Sequence, residues 1–332
     1  MRSVCSARCN LMGMSLMFNT NAEVDLSIII VNWNVKDLLR DCLASIQNNQ
    51  ENIELEVIVV DSASSDDSTE MVEKEFPWAR LIKSDQNLGY PRGNNVGILA
   101  SCGRNILILN PDTVILDDAL AVMSDFLDNH IDVGALGPQL LNADGSVQSS
   151  RRRFPSLMTG LLESTWLEDV APQRIMRSYY AKDMPDDQEN DVDWVTGACL
   201  MVPRRIIDQV GLFDEGYFMY SEELDWCRRI SEAGWRIVYL PQAKIIHHVG
   251  KSSEQAVTTR HINFQQAKLR YFRKHHGRIA AGSIRAVLLA NYAWQLALEA
   301  GKGLLGHKRS LRRQRVKAYW QVIRSGLHPA GY

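Results

Sequence analysis

The chain has 332 residues, 45% of them hydrophobic and 23% charged, which allows one large buried core plus an appendage and excludes wholesale disorder. No apolar run reaches the roughly 18 residues of a membrane-spanning helix. The formal net charge of −2 hides a split: from Thr259 onward there are 15 Lys and Arg against one acid, Glu299, so the last part of the chain is strongly basic and the rest strongly acidic.

Residues 1–24 have a basic start (Arg2, Arg8) and a weak apolar stretch, Leu11 to Phe18. A secretory signal needs a cleaner apolar core, so this segment is expected to be an extension without fixed structure. Leu26–Asn32 (LSIIIVN) is a continuous apolar run, the pattern of a strand buried on both faces. Helical spacing follows over Lys36–Asn48. Glu56–Asp61 predicts a second strand, Asp67–Phe76 a helix and Arg80–Lys83 a short strand. Arg92–Ala100 predicts a helix, Asn105–Asn110 a strand and Asp118–His130 another helix. Strands alternating with helices at this spacing imply a doubly wound, mostly parallel α/β sheet. Ligands bind such sheets beyond the carboxyl ends of the strands, where Asn32, Asp61, Asn110 and Asp112 fall.

Ser150–Asp191 is irregular, with three consecutive arginines at its start, and suits a mobile loop or a small helical insertion. Trp194–Val202 predicts a strand, Arg204–Val210 and Ser221–Ala233 helices, and Arg236–Leu240 and Lys244–His248 two short strands. From Thr259 the pattern stays helical to about Gly326. The six cysteines lack CxxC spacing and several sit in apolar runs, as reduced thiols of a cytoplasmic protein would.

Four clusters bear on chemistry. Asp61 ends a strand in VVDSASSDDST; the Ser and Asp after it suit a helix N-cap, whereas a carboxylate on the strand end itself suits a contact to a base N–H. Asn110-Pro111-Asp112-Thr113 is both common turn chemistry and a place for a metal carboxylate. Asn87–Asn95 (NLGYPRGNN) opens a helix and allows close approach of backbone to a ligand. SEELDWCRR, Ser221–Arg229, crowds three acids into the first helical turn; the helix dipole favours acids there, and their mutual repulsion raises a pKa as a general base requires. His247 and His248 are neighbours on a strand, so one at most faces a given ligand.

In this order, SIIIVNWN (Ser27–Asn34), VVDSASSD (Val59–Asp66), NLGYPRGNN, LNPDT (Leu109–Thr113), VTGACLMVPR (Val195–Arg204), GLFDEGYFMYSEELDWCRR (Gly211–Arg229), GWRIVYLP (Gly234–Pro241) and HHVGKSS (His247–Ser253) resemble the family 2 nucleotide-sugar glycosyltransferases. The likeness is to the rhamnosyltransferase-like branch that builds bacterial surface polysaccharides, and it runs from about Leu26 to Gly277. It implies a GT-A domain over 25–258 with a helical extension over 259–332, and an inverting transfer from a nucleotide diphosphate-sugar, dTDP-rhamnose before UDP-hexoses, to a saccharide or lipid-linked hydroxyl. By resemblance Asp61 contacts the base, and Asn87, Gly89 and Asn94 line the nucleotide-sugar. Asn32 and Asn110 are expected at the same site. Asp112 is the last carboxylate of a metal motif for Mg or Mn, with Asn110 where an acid is more usual. His247 is its histidine partner, with His248 as alternative. Glu223 aligns with the catalytic base, often Asp, with Glu222 as fallback. Arg151, Arg152, Arg153 and Asp214 are expected on the acceptor side.

Other readings are a sugar nucleotidyltransferase, against which SIIIVNWN lacks the early glycine-rich loop, and a non-catalytic nucleotide- or glycan-binding relative. The acidic bulk of the chain argues against nucleic acid as the partner of the basic tail. Ile284, Val287, Leu288, Asn291, Trp294, Gln295 and Leu298 share a helical face, and Val316, Tyr319, Trp320 and Ile323 a second. Such basic helices suit peripheral attachment to the inner face of the cell membrane. The alternative is packing on the catalytic domain or on a second subunit of a homodimer.

Overall fold

The computed structural model describes residues 24–50, 53–168, 172–248, 257–304 and 308–329; the expected extension before residue 24 and Gly250 to Ser253 lie outside the described residues. The first half alternates as β1 (Leu26–Asn32), α1 (Lys36–Asn48), β2 (Leu55–Ser62), α2 (Ser68–Glu75), β3 (Arg80–Ser84), α3 (Tyr90–Ala100), β4 (Asn105–Leu109), β5 (Thr113–Ile115), α4 (Ala119–Asn129) and β6 (Val133–Leu141). Then come β7 (Arg151–Arg152), α5 (Leu157–Leu162), α6 (Gln173–Tyr179), β8 (Asn190–Val192), β9 (Trp194–Val195), β10 (Cys199–Pro203), α7 (Arg204–Val210), α8 (Glu222–Glu232) and β11 (Arg236–His247). Two long helices follow, α9 (Val257–Leu304) and α10 (Arg309–Ser325).

The main sheet runs β3-β2-β1-β4-β10-β6-β11-β5, with β8 also on β11. Pairs β1/β2, β1/β4, β2/β3 and β6/β11 are parallel, while β10 is antiparallel to both its neighbours. Each residue of β1 is buried because both faces are covered. Leu26, Ile28 and Ile30 enter one core with Leu39, Leu43 and Met123; Ile29 enters the other with Ile98, Trp226 and Leu269. The second core needs α3 close to the sheet, and a Cβ added at Gly97 would lie 2.3 Å from Ile29 Cγ2.

The nine-residue strand β6 was not anticipated; its Gly134 and Gly137 make room for Trp235 and Val195. Two expectations are corrected. The two strands expected over 236–248 are one, β11, whose register on β6 shifts between Leu240 and Lys244. The strand expected over Trp194–Val202 is broken at 196–198 into β9 and β10.

The tail is corrected in part. Gly277, at φ +88°, interrupts α9. Beyond it, Ile284, Leu288, Asn291 and Tyr292 are buried rather than turned to a lipid surface, and Asn291 Oδ1 accepts from Trp166 N at 3.2 Å. Tyr319 of α10 packs on Tyr292, and Arg312 pairs with Glu299. Trp294, Leu304, Leu311 and Trp320 remain exposed. Among the described residues no helix is long and apolar enough to cross a membrane.

Gly97→Val should lower unfolding free energy by about 1–3 kcal/mol through overpacking against Ile29. Urea denaturation reads it as a lower midpoint at constant slope; an unchanged midpoint would mean that α3 can move off the sheet freely.

Candidate active site

Asn32 and Asp61 are register partners at the carboxyl ends of β1 and β2. Asn32 Nδ2 donates to Asp61 Oδ1 at 2.8 Å and to Ser64 Oγ at 3.1 Å, and Ser64 N donates to Asp61 Oδ2 at 2.9 Å. The pair is buried, and Asn32 Oδ1 has no partner. Asp61 thus braces the strand end, and its neighbour Ser62 lines the adjoining cavity.

That cavity, of about 270 Å³, is bounded by Val31, Trp33, Ser62, Asn87, Gly89, Tyr90, Asn110, Pro111 and Phe218–Tyr220. Thr259, Arg260 and Asn263 of α9 close one side. Asn87 Oδ1 accepts from Gly89 N at 3.0 Å, and Tyr90 N donates to Phe218 O at 2.9 Å. Gly89 sits at φ +73°, and a Cβ there would lie 2.5 Å from Phe218 O, so glycine is required for this approach. Asn94 stands behind the loop rather than on the cavity: its Nδ2 donates to Tyr90 O at 2.9 Å and its Oδ1 is buried without a partner.

Beyond β4, the pairing of β5 with β11 sets Thr113 opposite His247. This brings His247 Nε2 to 3.4 Å from Asp112 Oδ1 and 3.5 Å from Asn110 Nδ2. His247 Nδ1 lies 2.7 Å from Gln148 Oε1, while Gln148 Nε2 donates to Asn142 Oδ1 and to His247 O. With Gln148 Oε1 as acceptor, Nδ1 carries the proton and Nε2 turns a lone pair toward Asp112. Asp112 Oδ1 is buried and accepts no hydrogen bond. A lone-pair nitrogen beside an unsatisfied carboxylate oxygen fits a divalent cation that takes its other oxygens from phosphate and water. It is a sparse set: among the described residues no three His, Cys, Asp or Glu side chains group as metal ligands. His248 contributes backbone, its N donating to Asp112 O at 2.8 Å.

Glu222 and Glu223 open α8 directly after Tyr220 and Ser221, both left-handed at φ 74° and 62°. Glu223 Oε1 accepts from Gly197 N at 3.4 Å; Glu222 Oε2 and Glu223 Oε2 are buried without partners. Burial raises both carboxyl pKa values, and the neighbouring Glu223 charge raises Glu222 further, to well above the usual range. Backbone N–H groups of Glu223, Gly197 and Leu224, and then the Arg152 charge, oppose the rise at Glu223. Glu223 faces a second cavity, of about 220 Å³, with Arg152, Tyr180, Trp194, Phe264 and Lys268; Tyr220 lines both cavities.

The remaining acceptor-side expectations separate. Arg152 stands on the second cavity, its guanidinium over the Tyr180 ring. Arg151 is buried away from it, paired with Asp186 at 2.7 Å and stacked on Tyr239, so its role is corrected to a structural one. Arg153 pairs with Asp183 at 3.6 Å, and Asp214 is taken up by Arg270 and Lys274. Trp33, Gln148, Tyr220, Arg260 and Asn263 were not foreseen as site residues. Trp33 and Tyr220 lay inside motifs already singled out; Gln148 and the α9 residues gave no local signal.

The sheet thus carries a cavity at its strand ends, a carboxylate–histidine pair and a buried acid at a helix start. The family model for glycosyltransferase-like family 2 matches residues 24–276, and the chain belongs to that family. It is 28% identical over 303 residues to an N-acetylglucosaminyl-diphospho-decaprenol L-rhamnosyltransferase of Mycobacterium tuberculosis, covering 88% of this chain and 97% of that one. It is 29% identical over 144 residues to the rhamnosyltransferase WbbL of Escherichia coli, covering 43% and 52%. A mannosyltransferase from Pyrobaculum calidifontis, solved with GDP-Man and Mn2+, shares the fold at TM-score 0.54 and 16% identity, over 95% of this chain and 90% of that one. The protein is a glycosyltransferase of polysaccharide biosynthesis.

The raised carboxyl pair has a stability consequence. A carboxyl whose folded pKa exceeds its unfolded one contributes stability below the unfolded value, lost as pH rises through the folded value. Glu222→Gln, a neutral isostere, should therefore flatten the fall in melting temperature above about pH 4.5. Melting curves of both forms across the acid range check this; parallel profiles would show that Glu222 is ionised in the folded protein.

Proposed function

We propose that this chain is an inverting transferase that moves rhamnose from dTDP-rhamnose to a hydroxyl of a saccharide or lipid-linked acceptor, with Glu223 as general base. The observation that carries the reading is the position of Glu223: a buried carboxyl with one unpartnered oxygen, on one cavity and separated from the other by Tyr220. The rhamnosyl donor is favoured by the names of the relatives. The first cavity takes the nucleotide-sugar, its base toward Ser62 and the Asp61 strand end and its sugar toward Asn110. The second takes the acceptor, with Arg152 at its edge.

Asp112 and His247 would hold a divalent cation, with Asn110 beside them; Mn2+ in the mannosyltransferase complex supports this. Such an ion neutralises charge growing on a diphosphate leaving group. Gln148 holds His247 in the tautomer that offers Nε2. Glu223 accepts the proton of the acceptor hydroxyl, and that oxygen forms its bond to the anomeric carbon as the bond to the diphosphate breaks. One displacement inverts the configuration, and no enzyme nucleophile takes part. Burial keeps the carboxylate basic, and Arg152 and the Gly197 N–H keep it ionisable.

Release of nucleoside diphosphate from dTDP-rhamnose and from UDP-hexoses, with Mn2+ present, tests the donor. Glu223→Gln should lower transfer by about 10²-fold or more with nucleotide binding retained. Near-normal transfer by Glu223→Gln combined with loss in Glu222→Gln would move the base to Glu222; indifference to both would end the mechanism.

We also place the protein at the inner face of the cell membrane, through the outer surface of the tail. Trp294, Leu304, Leu311 and Trp320 are exposed there with Lys308, Arg309, Arg313 and Lys317. Each cation near an anionic bilayer contributes about 1 kcal/mol. A Trp294→Ser, Trp320→Ser double variant keeps the buried face intact. Co-sedimentation with phosphatidylglycerol vesicles should fall in this variant and, for the unaltered chain, fall with added salt. Equal sedimentation of both forms, or none of either, would refute attachment through this face.

A further inference from the structure

The segment from Asp214 to Asp225 carries Phe218–Tyr220 on the first cavity and Glu223 on the second. Its middle holds the two consecutive left-handed residues, Tyr220 and Ser221. Such backbone is costly and persists only where its surroundings over-determine it. The chain ends of the segment are each fixed by an ion cluster, and both clusters draw on one turn of α9.

Asp225 is fully buried, two residues beyond Glu223. His275 Nε2 and Lys274 Nζ each lie 2.8 Å from its Oδ1, and Arg229 Nε donates to its Oδ2 at 3.0 Å. Lys274 reaches on to Asp214 Oδ2 at 3.0 Å, and Arg270 Nη2 donates to both oxygens of Asp214 at 2.8 and 3.0 Å. Arg270 also lies over the Tyr217 ring, and Tyr271 packs on the His275 ring. These partners hold the Asp225 carboxyl down at about 2 despite its burial. Lys274 thus bridges the start of the segment to the helix that bears the base. The same α9, three turns earlier, lines the donor cavity with Arg260 and Asn263.

We propose that Arg270, Lys274 and His275 form a positioning clamp: they fix both ends of the 214–225 segment and so set Tyr220 and Glu223 between the two cavities. The inference rests on the transferase reading, since it takes Glu223 as the base. None of the three touches substrate; each acts through Asp214 or Asp225. The helix is therefore part of the catalytic unit at least as far as His275.

The test uses the full chain with His275→Ala, His275→Gln and Lys274→Met. The Gln amide can replace the imidazole N–H toward Asp225, so it serves as the conservative rescue. Two readouts are taken: amide hydrogen exchange over residues 214–223, and kcat and KM for dTDP release from dTDP-rhamnose. In His275→Ala and Lys274→Met, exchange over 214–223 should quicken while β1 and β4 stay protected, and kcat should fall by about tenfold or more, beyond any change in donor KM. His275→Gln should restore both. Unaltered exchange over 214–223, or a lower melting temperature with kcat intact, would overturn the clamp. If the unaltered chain releases no nucleoside diphosphate from any donor, the transferase reading fails by itself, and the exchange readout still decides whether the clamp exists.

Discussion

A three-residue break, Thr196 to Ala198, between β9 on β7 and β10 in the main sheet joins the parts on which the site depends. Gly197 O accepts from Tyr90 OH at 2.7 Å, Gly197 N donates to Glu223 Oε1, and Ala198 O accepts from Asn110 N at 2.9 Å. The Asn87–Tyr90 loop, the β4 strand end and the buried acid thus converge on two adjacent residues. Had β9 and β10 formed one unbroken strand, these N–H and C=O groups would have been spent on ladder bonds. The break frees them where three separate elements need partners.

Part of the charge split of the chain is resolved within the fold. Lys268 pairs with Glu163, Arg270 and Lys274 with Asp214, and Lys274 and His275 with Asp225. The first part of the basic region is therefore a counter-charge to the acidic domain, brought close enough to be desolvated. Breaking such pairs one-sidedly is costly, because a buried charge is left behind. The outer surface of α10 and the end of α9 remain exposed, as do Arg260 and Arg278. One stretch of sequence with a uniform charge thus serves two surfaces with opposite neighbours, which composition by itself cannot separate.

Strands β1 and β4 were legible because their burial is uniform. β1 and β4 are covered on both faces and so read as unbroken apolar runs, and α1 matches its expected bounds, Lys36–Asn48. β6 failed the same test for a steric reason: Trp235 and Val195 need its glycines, and those glycines removed the apolar signal. The tail was legible as helix but not as to its partner. An amphipathic face looks the same whether it meets lipid or Phe272 and Gly160, and only tertiary packing distinguishes Ile284, which is buried, from Trp294, which is not.

The site followed a similar division. Residues at strand ends, Asn32, Asp61, Asn110 and Asp112, were legible because a parallel sheet delivers its carboxyl ends to one rim. His247 came through motif order, and the pairing of β11 with β5 sets its side chain beside Asp112. Gln148 could not be read, since its role exists only across 99 residues of sequence, and no local pattern marks a side chain that orients another. Arg151 misled because three adjacent arginines look alike in sequence, while on a two-residue strand alternate side chains go to opposite faces. Arg151 went into the core beside Tyr239 and Arg152 to the cavity of Glu223. The pleat, more than the charge, decided which arginine reached a cavity.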